Sequence, residues 1–173
     1  NAFNYLTERG LTKQIIEEFE LGFSPDSFDD LLGLLRKKSF SAEAMKLSGL
    51  FIKSEKGYFN RFRSRIMFPI QNQKNEVIAF GGRIFNKDDP AKYQNSPETP
   101  IYVKSNVLYG ISHNVQHIRE AKKIILVEGY MDLLQLVQAE IKNCLAISGT
   151  AFTEGHAAIL KRFTNDIYIT FDG

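Results

Sequence analysis

Tryptophan is missing from the 173-residue sequence, and cysteine occurs once, as Cys144. A lone cysteine excludes an internal disulfide and any multi-cysteine zinc site within this segment. It suits a reducing compartment. No apolar run approaches the ~20 residues a bilayer-spanning helix needs, and no signal-peptide pattern follows Asn1. Neither sign of charge dominates: 22 Lys and Arg stand against 20 Asp and Glu, a net of +2. The distribution of charge along the chain therefore carries more information than its sum. His113, His117 and His156 form no metal-ligand spacing and read as surface or capping residues. There are no repeats and no low-complexity tracts. What remains is an ordinary globular composition, 43% hydrophobic with 14 Phe and 7 Tyr, enough for one domain or two small ones sharing a core. The opening at Asn1 and the close at Phe171-Asp172-Gly173 both read as cuts in a longer protein.

Residues 2–50 read as short helices. Gly10 is expected as a C-cap, Thr12 and Ser41 as N-caps, and Ser27 with Asp30 as a capping box ahead of Leu31, Leu32, Leu34 and Leu35. Strands are expected over 50–52, 65–70 and 77–80, with a polar turn at 72–75 and a flexible Gly81-Gly82 pair. A long loop follows over 86–100, a length that in compact proteins is often functional.

The last third has the clearest pattern. Ile124-Ile125-Leu126-Val127 is a short continuous apolar run of the kind buried in parallel sheets. Helices are expected over 130–139 and 153–163, with further strands over 144–147 and 167–171. The order β-α-β-α-β implies a parallel sheet with right-handed crossovers, and ligands bind such sheets beyond the carboxyl ends of the strands. Here those ends carry Glu128-Gly129, Ser148-Gly149-Thr150 and Asp172-Gly173. Glu128 and Asp172 at one rim, with Asp132 at the start of the next helix, form an oxygen-only donor set that favours a hard cation. Mg²⁺ is the usual choice where substrate phosphates complete its shell. Asp132 taken alone also fits a helix-dipole role.

The middle of the chain is basic. Between Arg61 and Lys104 eight Lys and Arg oppose four acids. Arg61, Arg63 and Arg65 alternate, so an extended backbone would project all three from one face. A row of guanidiniums suits a nucleic-acid backbone or nucleotide phosphates, and Tyr93 beside Lys92 offers a stacking surface for a base. A solvated edge-strand face is the competing reading.

These segments, taken in order, resemble the DnaG-type bacterial DNA primases. Arg61-Phe62-Arg63-Ser64-Arg65-Ile66-Met67-Phe68-Pro69-Ile70 resembles the family's arginine-rich motif. Phe80-Gly81-Gly82-Arg83, Lys92-Tyr93-Gln94-Asn95-Ser96-Pro97-Glu98-Thr99 and Leu108-Tyr109-Gly110 follow as its next landmarks. Val127-Glu128-Gly129-Tyr130-Met131-Asp132 is similar to the first half of a Toprim motif, with Ser148-Gly149-Thr150 and Phe171-Asp172-Gly173 at the later positions. Tyr5-Leu6-Thr7-Glu8-Arg9-Gly10-Leu11 and Gly22-Phe23-Ser24-Pro25 resemble the start of the catalytic core.

The resemblance implies an α+β N-terminal subdomain over residues 1–118, then an α/β Toprim fold with a parallel sheet over 119–173, incomplete on its C-terminal side. It implies a cytoplasmic nucleotidyltransferase that builds short RNA primers on single-stranded DNA. Glu128, Asp132 and Asp172 become catalytic and metal-site residues for Mg²⁺ or Mn²⁺. Arg61, Arg63, Arg65, Arg83, Lys92, Tyr93, Asn95 and Lys104 become ligands of template, primer or NTP. Zinc is expected only in a separate N-terminal domain, and the replicative helicase only through a C-terminal one. Because the family's Asp-x-Asp is cut after its first Asp, the segment alone is expected to have little or no primer synthesis. The alternatives are a non-catalytic single-strand-binding module and another Toprim enzyme, a topoisomerase or nuclease.

Overall fold

The computed structural model describes residues 1–85, 91–149 and 151–171. Two helices open the chain, α1 (Ala2–Glu8) and α2 (Lys13–Glu18), with Gly10 between them in a left-handed turn at φ +86°. Thr12 caps α2 as expected, its Oγ1 accepting the Ile15 N–H at 3.4 Å. A short strand, β1 (Gly22–Ser24), precedes α3 (Asp30–Lys37) and α4 (Ala42–Leu47). Ser41 caps α4 through the Ala44 N–H at 3.0 Å.

The expected Ser27/Asp30 capping box does not form. Asp30 is itself the first helical residue of α3. Ser27 therefore sits ahead of the N-cap, and its hydroxyl accepts the N–H groups of Asp29 and Asp30 at 3.4 and 3.2 Å. A hairpin of β2 (Phe51–Ser54) and β3 (Gly57–Asn60) leads into β4 (Arg65–Gln71) and β5 (Val77–Ile84). With β6 (Tyr93–Asn95) these complete a four-stranded antiparallel sheet in the order β1-β4-β5-β6. Strand β6 falls inside the stretch expected to be a loop.

After a 3₁₀ turn at Lys104–Asn106 comes α5 (Ile111–Ala121), then β7 (Ile124–Val127), α6 (Tyr130–Gln138), β8 (Cys144–Ala146), α7 (Glu154–Lys161) and β9 (Ile167–Thr170). The three strands are parallel, in the order β8-β7-β9, and match the sequence reading closely. The free side of β8 receives Tyr109, whose N–H donates to the Ala146 carbonyl at 2.8 Å while the Ala146 N–H returns a bond at 3.1 Å.

Alternation along β7 divides its side chains between two cores. Ile124 and Leu126 join Leu108, Ile111, Ile118, Leu145 and Leu160 beneath α5 and α7. Val127 faces the other way, into a larger cluster built from α1, α2, β4 and α6, including Leu6, Phe19, Phe68, Tyr130 and Leu133. Each fully buried Leu, Ile or Phe contributes roughly 1.5–3 kcal/mol, so this shared cluster binds the antiparallel and parallel parts into one core. Polar ties reinforce the junction: Gln138 Oε1 accepts the Thr12 N–H at 2.7 Å, and Gln138 Nε2 donates to the Gly10 carbonyl at 2.7 Å. Gln135 Nε2 donates to the Arg9 carbonyl at 2.9 Å, which fixes the end of α1 beside the middle of α6. Among the described residues, no helix is long and apolar enough to cross a membrane.

Candidate functional site

A cleft of about 550 Å³ opens where the carboxyl ends of the parallel strands meet the antiparallel sheet. Glu128 follows β7 directly, and Gly129 turns the chain into α6. From the parallel part the lining includes Glu128, Gly129, Asp132, Gln135, Ser148 and Gly149; from the N-terminal elements it includes Arg9, Arg83, Lys92 and Tyr93. The parallel part thus supplies an acidic rim, and the N-terminal elements a basic wall, to the same cleft.

The acids are set by local geometry. Gly129 and Asp132 begin α6, where the Asp132 Oδ2 accepts the Gly129 N–H at 3.0 Å. The Glu128 carbonyl accepts the Ser148 N–H at 2.8 Å. Ser148 and Gly149 hold left-handed φ values of +53° and +83°, which folds the β8 exit back onto the rim. Glu128 and Asp132 are exposed to the cleft. Both offer carboxylate oxygens, the donor type a hard cation takes, and no group of three His, Cys, Asp or Glu suited to a metal occurs among the described residues. Asp172, the third expected acid, lies outside the described residues, as does Thr150.

On the basic wall, Arg83 is a buried cation, 5% exposed, in β5 opposite Tyr93 of β6. Its guanidinium lies 5.4 Å from the Tyr5 ring and 5.6 Å from the Tyr93 ring. Its Nε has no hydrogen-bond partner among the described residues, and no ion pair with Arg83 occurs among them. A desolvated guanidinium without a carboxylate partner is costly, and an anion entering the cleft would relieve that cost. Burial raises the Tyr93 hydroxyl above its ordinary titration range, opposed by the Arg83 charge and reinforced by Asp132.

The other expected ligands do not share one face. Ser64 adopts a left-handed φ of +49° and β4 begins only at Arg65, so the 61–65 stretch is not extended. Arg61 Nε donates to the Gly49 carbonyl at 2.9 Å. Arg63 stacks on Phe28 at 3.8 Å. Arg65 is buried and donates to the carbonyls of Gly82 and Ala91 at 3.2 and 3.0 Å. The expected one-face row of guanidiniums is therefore absent. Lys104 lies in the 3₁₀ turn, its N–H bonded to Glu98 Oε1 at 3.1 Å, and is not among the residues lining the cleft. Asn95 turns its amide into the fold, Oδ1 accepting from the Tyr130 hydroxyl and Nδ2 donating to the Ser148 carbonyl.

Sequence reading missed Arg9 and Gln135 as cleft residues. Arg9 is recognisable only as the end of a helix before Gly10; its place at the site depends on the docking of α1 against α6. Of the other polar residues, Cys144 is a core residue whose thiol burial pushes up to about 12. His156 is fully buried and caps α7, with Nδ1 taking the Thr153 N–H and Nε2 bonded to the Lys104 carbonyl.

A family model for the DNA primase catalytic core, N-terminal domain, matches residues 1–115, and a Toprim domain model matches residues 122–173. The DNA primase of Listeria monocytogenes is 40% identical over 173 residues, which cover 99% of this chain and 28% of that protein. The crystal structure of the RNA polymerase domain of Mycobacterium tuberculosis primase DnaG, in complex with a double-stranded DNA oligomer with a 6-nucleotide overhang, superposes with a TM-score of 0.94. It is 35% identical, with 99% of this chain and 56% of that one covered. A DnaG primase catalytic domain bound to ssDNA gives a TM-score of 0.87 at 37% identity, over 99% of this chain and 54% of that one. The chain spans 28% of the length of the first curated relatives it matches.

Proposed function

Since the chain belongs to the DNA primase catalytic-core family, we propose that it supplies the nucleotide-facing cleft of an enzyme that synthesises short RNA primers on single-stranded DNA. The observation that carries this reading is the buried Arg83, its Nε without a hydrogen-bond partner among the described residues, lining one cleft with Glu128 and Asp132. Primer extension is attack of a ribonucleotide 3′-hydroxyl on the α-phosphate of an incoming NTP, with loss of pyrophosphate. The chemistry demands cations for the triphosphate on one side and acids on the other, and the cleft has both.

Within this reading, residues 1–118 form the template- and nucleotide-facing unit and 119–173 the Toprim unit. Arg83, Lys92 and Arg9 bind phosphate oxygens, with Arg83 held rigid by its two flanking tyrosines. Tyr93 stacks on a base. Arg61, Arg63 and Lys104 lie farther out, toward a template or primer backbone, while Arg65 and Asn95 act through the backbone they hold. Glu128, Asp132 and Asp172 would hold Mg²⁺ or Mn²⁺, which when bound neutralises phosphate charge and helps align attacking and leaving oxygens. The single-stranded DNA carried by one structural neighbour is the template class proposed here, with NTPs and the RNA primer as the other partners. A replicative helicase engages the full-length protein elsewhere, and the work is done in the cytoplasm.

The test uses the full-length protein that carries this segment. Labelled NTP incorporation on single-stranded DNA is measured with Mg²⁺ or Mn²⁺ for the natural sequence and for Glu128→Gln. Removing a metal-site acid costs several kcal/mol of barrier, about 100-fold or more in rate. Short RNA products lost in the variant, with single-strand binding intact, support the reading. Products unaffected by Glu128→Gln sink it, and no products from either protein point to a binding module.

A further inference from the structure

The acidic rim is tied to the antiparallel sheet through the side chain of Asn95. This residue ends β6, whereas Glu128, Tyr130 and Ser148 belong to the parallel unit. The Tyr130 hydroxyl donates to Asn95 Oδ1 at 2.7 Å, and Asn95 Nδ2 donates to the Ser148 carbonyl at 2.7 Å. The Ser148 N–H in turn donates to the Glu128 carbonyl at 2.8 Å. A continuous path of three hydrogen bonds therefore runs from the first residue of α6, across the subdomain junction, to the backbone of Glu128.

Each link is constrained. The Tyr130 ring is 2% exposed, stacked on Phe68 with centroids 4.8 Å apart and edge-on to Tyr109 at 4.7 Å. It fits against β5 because Gly81 lacks a Cβ; one built there would sit 2.4 Å from the ring. The hydroxyl is thus aimed by packing from both subdomains. At the other end, a Cβ on Gly149 would lie 3.1 Å from Asn95 Nδ2, so the amide approaches a loop that glycine leaves open. That loop contains Ser148 at φ +53°, a conformation that is costly for a residue with a Cβ. One Nδ2 proton and one Oδ1 lone pair are thereby committed to the fold, which orients the Asn95 amide.

We propose that Asn95 and Tyr130 are positioning residues. They hold the Ser148-Gly149 turn, and through it Glu128, at the height the metal and nucleotide require. The proposal rests on the functional reading above, but its structural arm can be read without catalysis.

Three variants of the full-length protein test it: Tyr130→Phe, which keeps the ring and removes the hydroxyl, Asn95→Ala, and the double variant. Four quantities are measured: single-stranded DNA affinity by anisotropy, Mn²⁺ affinity by loss of the free-ion electron paramagnetic resonance signal, kcat and KM for NTP incorporation, and hydrogen exchange at the Ser148 amide. The expected pattern is DNA affinity and nucleotide KM within about 2-fold of the natural protein, with kcat and Mn²⁺ affinity lowered roughly 5- to 10-fold in each single variant. The double variant should be no worse than Asn95→Ala, as one linked path requires, and Ser148 protection should fall about 10-fold in all three. Loss of DNA affinity or a raised nucleotide KM in Asn95→Ala, with Tyr130→Phe unchanged, overturns the proposal and makes Asn95 a direct ligand. Additive losses in the double variant, or unchanged Ser148 exchange, overturn it as well. Indifference of activity to Glu128→Gln would instead defeat the primase reading, while the exchange result still decides whether the path holds the rim.

Discussion

Asp132 accepts the backbone N–H of Gly129 at 3.0 Å through one carboxylate oxygen, Oδ2. The same side chain lines the cleft beside Glu128. A cap and a cation ligand make different demands: capping needs an acceptor oxygen, whereas binding a hard cation needs the negative charge. Asp132→Asn retains an oxygen for Gly129 and should change stability by less than about 1 kcal/mol, while Asp132→Ala should cost about 1 kcal/mol through loss of the cap. Both should weaken Mn²⁺ binding in the full-length protein. Urea denaturation read beside calorimetric Mn²⁺ titration separates the roles; natural Mn²⁺ affinity in Asp132→Asn leaves Asp132 as a cap alone.

Arg83 gives a case where stability and binding should move in opposite directions. The buried guanidinium lacks a carboxylate partner among the described residues, so Arg83→Met removes a desolvated charge and keeps an unbranched apolar chain between Tyr5 and Tyr93. The urea midpoint should hold or rise. Nucleotide affinity, followed by calorimetry, should fall about 10- to 100-fold with the loss of a charged phosphate contact. An equal fall in stability would mean that Arg83 is part of the scaffold.

Two glycines should respond oppositely to alanine. At Gly81 the new methyl meets the Tyr130 ring at 2.4 Å, and overpacking of this kind costs typically about 1–3 kcal/mol. At Gly33, inside α3, a Cβ has nothing within 4 Å. Alanine there should gain roughly 0.5–1 kcal/mol from helix propensity. Thermal melts of Gly81→Ala and Gly33→Ala check both signs at once.

Alkali should unfold the protein through groups buried in neutral form. Burial raises Cys144 from 9.0 to about 12 and Tyr102 from 10.0 to about 12. The unfolded chain releases these protons first, so their contribution is complete below about pH 9 and drains away as pH rises toward 12. Melting temperatures should fall steadily across that window. In Cys144→Ala the decline should be shallower, most visibly between about pH 9 and 10; an unchanged slope there would show that the thiol does not take part.

Much of the parallel unit was legible in the primary structure. Short apolar runs at 124–127 and 144–147, separated by helix-length amphipathic stretches, leave few alternatives to β-α-β-α-β. That order in turn puts Glu128 and Ser148 at one rim. The caps at Thr12 and Ser41 were equally readable, because capping is decided within four residues. Ser27 failed for a local reason: Asp30 opened the helix itself and displaced the cap by two positions.

The basic segment shows where local reading stops. Arg61, Arg63 and Arg65 alternate in sequence, but a left-handed Ser64 breaks the extension, and each guanidinium finds a different partner: the Gly49 carbonyl, the Phe28 ring, and the carbonyls of Gly82 and Ala91. Those partners lie 12 to 35 positions away in sequence, so no pattern of neighbouring residues contains them. The same holds for Arg9, brought to the cleft by α1 docking on α6, and for Asn95, whose amide is committed between the antiparallel and parallel sheets. By itself the sequence determined the family, the parallel order of the last third and the acids at its rim, because these follow from periodicity and from motifs in order along the chain. Tertiary packing alone decided which cations face those acids and which polar side chains are occupied holding them, because buried hydrogen-bond partners are chosen by proximity in space.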